Sequence, residues 1–408
     1  RYDRPEFQSM FNAFPEPGAD LGARLALQYN QGVTNWQVSP GGAMLEELCC
    51  RALCRLFGFA PGADATFMYA GTYANQQAVY MALHRRAERE GFDLTRVGLS
   101  GFEDPRRLAT VVSRDAHLSL RHAVRTLGLG EQSLVMVDVD KNRHMDAKHL
   151  AETLERLSGT RDVFCVVATA GTTSTGSVDP IQPGVDLCGE TGAWLHVDGA
   201  YGLAYSLVPE WRPLFAGMEG ADSVSWDPHK QFRVPIPSSV FFARRQEDFG
   251  RMAIFADYFN REGEVFPNPG LKSIPTTRPF AALHLVISLR HQGMDSVRET
   301  LRASLVAIRT VANLVQAEAD MELVHQPDLG ILCFRVTPSG VPKERLNALQ
   351  ETIYERVLQE GERSISMTRL DGNAVLRLVA ISPAVTVEAL TATISAVRSM
   401  AREYRMEA

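Results

Sequence analysis

Two residues set the chemical question. Lys230 closes the run Ala221-Asp-Ser-Val-Ser-Trp-Asp-Pro-His-Lys230, and Asp198 lies in Trp194-Leu-His-Val-Asp-Gly-Ala200, 32 residues earlier. A lysine amine condenses with an aldehyde cofactor, the more readily when partial burial lowers its pKa. Alone, such a lysine is more often a solvated loop residue. The aspartate supplies what an aldehyde cofactor such as pyridoxal 5'-phosphate (PLP) also needs. PLP withdraws electrons well only while its ring nitrogen is protonated, and a carboxylate held against that nitrogen keeps it so. A single strand-end aspartate is usually a turn former or a helix cap. An aspartate paired with a strand-terminal His-Lys is much less often accidental. Ala200 adds a side chain small enough for a flat ring to lie against.

Three further segments fit the same cofactor. Met68-Tyr-Ala-Gly-Thr-Tyr-Ala-Asn-Gln76 reads as strand, turn and helix. There Gly71 permits close backbone approach, the helix start offers free N–H groups and a positive dipole end to a phosphate, and Thr72 adds a hydroxyl. Ala168-Thr-Ala-Gly-Thr-Thr173 follows an apolar run and carries hydroxyls toward the cofactor's phenolic oxygen. Ser113-Arg-Asp-Ala-His117 follows another, with an imidazole placed to stack on the ring. Each is weak alone, since small residues often precede helices and a lone histidine is usually structural.

These residues need strand ends to hold them. Short apolar runs at Leu108–Val112, Val163–Ala168, Trp194–Val197 and Val240–Ala243 alternate with helical stretches, which predicts a parallel sheet flanked by helices. Ser223–Ser225 is a further short strand stopped by Asp227-Pro228, so His229 and Lys230 fall in the crevice where open parallel sheets bind ligands. Upstream, Met44–Phe57 reads as a helix with Leu45, Leu48, Ala52 and Leu56 near one face. Downstream, Pro279–Asp320 is helix-permissive. Strand Gly330–Val336 follows, then a helix with Leu346, Leu349, Ile353 and Val357 on one face and Gly361 as its stop. Strand Ala374–Ile381 and a helix through Leu390, Ile394 and Val397 complete an α+β unit. The predicted organisation is an N-terminal helical segment with pocket and dimer contacts over 1–60, a large cofactor-binding domain over 61–280, and a connecting helix with a small C-terminal domain over 281–408.

Composition narrows the partners. The 408 residues are 45% hydrophobic and 22% charged with a net charge of -6, which gives no reason to expect nucleic acid or an anionic membrane. No apolar run reaches the ~18 residues of a membrane helix, and RYDRPEFQSM lacks a signal-peptide core. Arg1 in place of Met leaves room for residues upstream. Six scattered cysteines form no C-x-x-C pair, so free thiols in a reducing cytoplasm are expected. No H-E-x-x-H is present, so no catalytic metal is expected.

The order of the motifs, from phosphate turn through A-H, T-A-G-T-T and H-V-D-x-A to D-P-H-K, resembles the group II PLP-dependent amino-acid decarboxylases of fold type I, the aspartate-aminotransferase-like superfamily. The resemblance covers nearly the whole chain. It includes Phe11-Asn-Ala-Phe14-Pro, Asn35-Trp-Gln-Val-Ser-Pro40 and Ile274-Pro-Thr-Thr-Arg-Pro-Phe280. It implies a large domain with a mostly parallel seven-stranded sheet plus a small C-terminal α+β domain. It also implies Lys230 as the lysine that carries PLP, Asp198 as the ring-nitrogen partner, and Ala200 and His117 on the two ring faces. Ala70, Gly71, Thr72 and His229 would take the phosphate, and Thr172 the phenolic oxygen. Tyr258, 28 residues beyond Lys230, matches a tyrosine of the family's mobile loop, and Arg278 follows that loop in a structural or carboxylate-binding role. Phe11, Phe14 and Trp36 are candidates for an aromatic substrate pocket, although aromatic residues are more often core filler. Tyr73, where many relatives carry an acid, and Gln231-Phe-Arg-Val-Pro after the lysine depart from the pattern.

The resulting expectation is a cytoplasmic homodimer with its active site at the interface, decarboxylating an L-amino acid to the amine. Tyr258, coupled to His117, would protonate Cα. The alternatives are decarboxylation with oxidative deamination (an aldehyde synthase) and transamination. A dinucleotide enzyme lacks support, since no G-x-G-x-x-G joins a strand to a helix.

Overall fold

A computed structural model describes residues 2–257, 260, 261, 263 and 265–407, with side chains through 403. Its strands are β1 (Asp64–Met68), β2 (Leu108–Ser113), β3 (Leu134–Val137), β4 (Asp162–Thr169), β5 (Trp194–Asp198), β6 (Ser223–Trp226), β7 (Ser239–Ala243), β8 (Met321–Leu323), β9 (Ile331–Val336), β10 (Ser366–Leu370) and β11 (Asn373–Val379). Its α-helices are α1 (Pro17–Gln28), α2 (Pro40–Phe57), α3 (Gly71–Arg89), α4 (Leu94–Val97), α5 (Ser119–Thr126), α6 (Ala147–Leu157), α7 (Ile181–Thr191), α8 (Ala281–Ala317), α9 (Leu346–Glu360) and α10 (Val387–Glu407).

The seven-stranded sheet runs β1-β7-β6-β5-β4-β2-β3, and only β7 is antiparallel to its neighbours. Strands β1, β2, β5, β6 and β7 are buried along their whole length, as expected of strands covered by helices on both faces. Their apolar runs are therefore continuous rather than alternating, which is why they were legible. Register then builds the site. Thr169, Asp198 and Ser225 lie side by side at the carboxyl ends of β4, β5 and β6.

The second sheet, β10-β11-β9-β8, is antiparallel and packs with α9, α10 and the second half of α8 around its own core of Phe334, Leu349, Ile353 and Leu390. α8 joins the two parts and is broken at Gly293. α9 stops at Gly361, whose φ of 67° is the left-handed cap the sequence predicted.

Two expectations about the N-terminal part need correction. α2 is helical, but it buries Glu46, Cys49, Cys50, Leu53, Cys54 and Phe57, while Leu48 is 55% exposed and Ala52 faces solvent. The inward face is masked in the sequence by small cysteines and by Glu46, whose carboxylate is held inside by the Arg278 guanidinium. The segment before α1 is made of turns and bends with one isolated bridge, Phe7 to Ser364, so the N-terminal 60 residues are helical only over α1 and α2. That segment straps across the small domain, with Gln8 N–H donating to Ser364 O at 2.8 Å and Val379 N–H to Gln8 O at 2.8 Å.

Candidate active site

Strand ends and the start of α3 enclose a cavity of about 200 Å³. It is lined by Ala70, Gly71 and Thr72 before and in α3, by Thr169, Gly171 and Thr173 after β4, and by Asp198, Ala200 and Tyr201 after β5. Asp227, His229 and Lys230 after β6, with Asn75 and His117, complete it. Residues more than 150 positions apart in the chain thus meet because the strands that carry them are adjacent and end at the same level.

Asp198 is buried, and three groups donate to its carboxylate: Asn75 Nδ2 at 2.7 Å, Ser225 Oγ at 3.2 Å and the Ala200 backbone N–H at 3.1 Å. Burial pushes its pKa up. The neighbouring His196, the Asn75 hydrogen bond and the Lys230 side chain outweigh that and leave it below the ordinary value. The carboxylate is therefore charged and still has room to accept a further proton donor from the cavity.

Asn75 is itself fixed by a directional chain. The Trp194 indole N–H can only donate, and it gives its proton to Ser223 Oγ at 2.8 Å. Ser223 Oγ–H then donates to His196 Nδ1 at 2.8 Å, and His196 Nε2–H to Asn75 Oδ1 at 2.9 Å. His196 is fully buried, and burial lowers its pKa, so the ring is neutral in this single tautomer. The second N–H of the Asn75 amide goes to Ser119 Oγ at 2.8 Å, and that hydroxyl reaches His117 Nδ1 at 2.9 Å. Ser119 N–H also donates to His117 Nδ1 at 3.2 Å. His117 is thereby held with its proton on Nε2, and burial lowers its pKa as well.

Lys230 Nζ lies 3.1 Å from Asp227 Oδ2 and 5.2 Å from the centre of the Phe11 ring. Beside Asp227, the backbone N–H groups of Gly71 and Thr72 have no acceptor among the described residues, because α3 begins there. A Cβ on Gly71 would sit 3.3 Å from Ala200 Cβ and 3.1 Å from both Asp227 oxygens, so only glycine leaves this cradle open.

Several expected residues lie elsewhere. Thr172 is fully buried with its hydroxyl 2.6 Å from Thr175 Oγ1, and Thr173 lines the cavity in its place. Arg278 is spent on structure. Its guanidinium donates to Thr66 Oγ1 at 3.0 Å, to Phe67 O at 2.9 Å, to Pro269 O at 2.5 Å and to Glu46, and it is not among the residues that line the cavity. Phe14 is 60% exposed and outside the cavity. Trp36 is also outside it, stacked on Phe266 at 4.4 Å. Phe11 is the one of the three that reaches the site, leaning on Tyr201 at 4.7 Å. Tyr258 lies outside the described residues.

Asn75, His196, Ser225, Asp227 and Arg377 were missed. The first four stood inside or beside quoted motifs but carried no chemistry until the strands were aligned. Arg377 on β11 has its guanidinium carbon 5.0 Å from the centre of the Phe11 ring. It is buried and donates to Ser9 O, Thr173 O, Ser174 O and Ser366 Oγ, with no carboxylate partner among the described residues.

A lysine and a donor-held carboxylate on neighbouring strand ends, facing an open helix N-terminus, define a PLP enzyme. When bound there, PLP supplies an electron sink for a bond broken at the substrate's Cα. The chain belongs to the pyridoxal-dependent decarboxylase family, whose conserved-domain model it matches over residues 1–337. It is 30% identical over 369 residues to the L-2,4-diaminobutyrate decarboxylase of Acinetobacter baumannii, covering 88% of this chain and 72% of that one. It is 26% identical over 413 residues to the aromatic-L-amino-acid decarboxylase of Bacillus atrophaeus, covering 98% and 82%. Among solved structures, Oryza sativa TDC with PLP and tryptamine has the same fold, with a TM-score of 0.90 at 21% identity over 99% of this chain and 85% of that one.

Proposed function

We propose that this chain decarboxylates an L-amino acid to the corresponding amine, with PLP carried on Lys230. The observation that carries this reading is the Asp198 carboxylate, held by three donors one strand away from Lys230. Asp198 would keep the cofactor's ring nitrogen protonated. Ala200 and His117 would flank the ring, and the Gly71 and Thr72 N–H groups would take the phosphate. Thr173 would give the phenolic oxygen its hydroxyl. Arg377, whose fifth N–H has no acceptor and whose charge has no carboxylate partner among the described residues, is proposed to draw the substrate carboxylate toward the Phe11 side of the cavity. Tyr258 is proposed as the acid that returns a proton to Cα.

A two-fold dimer is proposed on the apolar side chains that α1 and α2 leave uncovered. Leu21, Leu27 and Leu48 are 52%, 80% and 55% exposed. A cytoplasmic location is proposed on six free, buried thiols. No helix among the described residues is long and apolar enough to cross a membrane.

The direct test is a panel of L-amino acids assayed together for carbon dioxide, amine, ammonia and peroxide. One substrate giving carbon dioxide and amine in equal amounts is expected. Aldehyde with stoichiometric ammonia and peroxide would replace this reading with the aldehyde-synthase one. An amine-free keto acid would point to transamination.

A further inference from the structure

The phosphate end of the cavity holds a carboxylate of its own. Asp227 is buried, and both of its oxygens crowd the first turn of α3 at Gly71. Ser239 Oγ–H donates to it, and Lys230 Nζ pairs with it at 3.1 Å. His229 Nε2 lies 3.7 Å from Asp227 Oδ2 but brings no charge. Burial lowers the His229 pKa, so the ring is neutral, and its Nδ1 is engaged by the Ser238 backbone, 2.5 Å from the carbonyl oxygen and 3.3 Å from the N–H nitrogen. Among the lining residues, Lys230 is the sole lysine or arginine.

A cradle for a doubly charged phosphate therefore contains one carboxylate, a helix N-terminus and one ammonium. That ammonium is the group that attachment of the cofactor uses up. Asp227 and the phosphate then face each other with no fixed cation between them. Two like charges a few ångströms apart in a buried site repel strongly.

We propose that Asp227 is an opposing charge built into the phosphate cradle, which loosens the hold on the cofactor and keeps it exchangeable. This rests on the reading of the cavity given under Proposed function. With the cofactor absent, the same carboxylate holds Lys230 in place. With it bound, the carboxylate limits retention.

The test uses apoenzyme and two ligands that lack the aldehyde, pyridoxine 5'-phosphate and pyridoxine, so that only phosphate binding differs. Calorimetric titration of Asp227→Asn is expected to show pyridoxine 5'-phosphate bound about tenfold tighter or better than by wild type, with pyridoxine unchanged. The PLP-loaded variant should also lose cofactor more slowly on dilution. Asp227→Ser carries the same expectation should the asparagine variant fail to fold. Unchanged or weaker binding of pyridoxine 5'-phosphate by the folded variants, with cofactor loss on dilution no slower than in wild type, would overturn the proposal. A wild type that takes up neither PLP nor pyridoxine 5'-phosphate would overturn the reading of the cavity itself.

Discussion

Asn75 and Asp198 share a 2.7 Å hydrogen bond in which the asparagine amide can only donate, because its oxygen already receives the ring N–H of His196. The bond commits Asp198 to the charged form. The other amide N–H acts through Ser119 on His117. One carboxamide thus sets the state of the groups proposed to lie at the nitrogen and on the face of the cofactor ring.

Replacing Asn75 by Leu removes both donors at similar volume. Hydrogen bonds to a charged group are worth about 1.5–3 kcal/mol, so decarboxylation should fall roughly 10- to 100-fold. The cofactor's absorption should shift with the loss of ring protonation, and Asn75→Asp should be worse because it sets a second carboxylate beside Asp198. Asn75→Leu with wild-type spectrum and rate would show that the chain of donors does not govern Asp198.

His196 gives the fold a pH dependence. Burial lowers its pKa, so between that lowered value and about 6.5 the unfolded chain binds more protons than the folded one. Its share of stability is whole above about pH 6.5 and is lost as pH falls through that window. Denaturant midpoints measured at about pH 7 and about pH 5 should differ more for wild type than for His196→Gln. Equal differences would mean that His196 is not held neutral.

Arg278 should matter for stability rather than for turnover. Arg278→Ala strands the buried Glu46 carboxylate, and breaking a buried pair on one side typically costs about 3–5 kcal/mol. Urea unfolding should show that loss, and Glu46→Gln in the same chain should recover part of it. A stable Arg278→Ala with a raised KM alone would return this arginine to the substrate pocket.

How far the sequence reached depends on what each residue needs. Lys230, Asp198, Gly71 and His117 were legible because each sits at a strand end or helix start that its own neighbours announce. His196 and Asn75 were not, because their roles come from register across β5 and β6 and from the packing of α3, which link residues 121 apart. The choice between Thr172 and Thr173 turns on which hydroxyl the turn points inward, and adjacent threonines look alike in sequence. Arg278 and Arg377 are the same residue type. Their surroundings differ in the carboxylate: Arg278 pairs with Glu46, while Arg377 has no carboxylate partner among the described residues. Strands β3, β8 and β10 passed unnoticed because they are short and partly exposed, so their patterns are diluted.

Tyr258→Phe separates the two decarboxylating chemistries. The variant should still bind cofactor and substrate but make ~10²–10⁴-fold less amine, the usual loss when a positioned acid is removed. Part of the flux should appear as aldehyde, ammonia and peroxide. Wild-type amine production would pass the role of acid to another group.

The central claim is that Lys230 carries PLP opposite Asp198, and one measurement meets it directly. The protein is loaded with PLP, reduced with borohydride, digested and mapped by mass spectrometry. The account predicts a single reduced adduct on Lys230, and none at that position in Lys230→Ala. An adduct on another lysine, or no adduct at all after PLP is supplied, would contradict it.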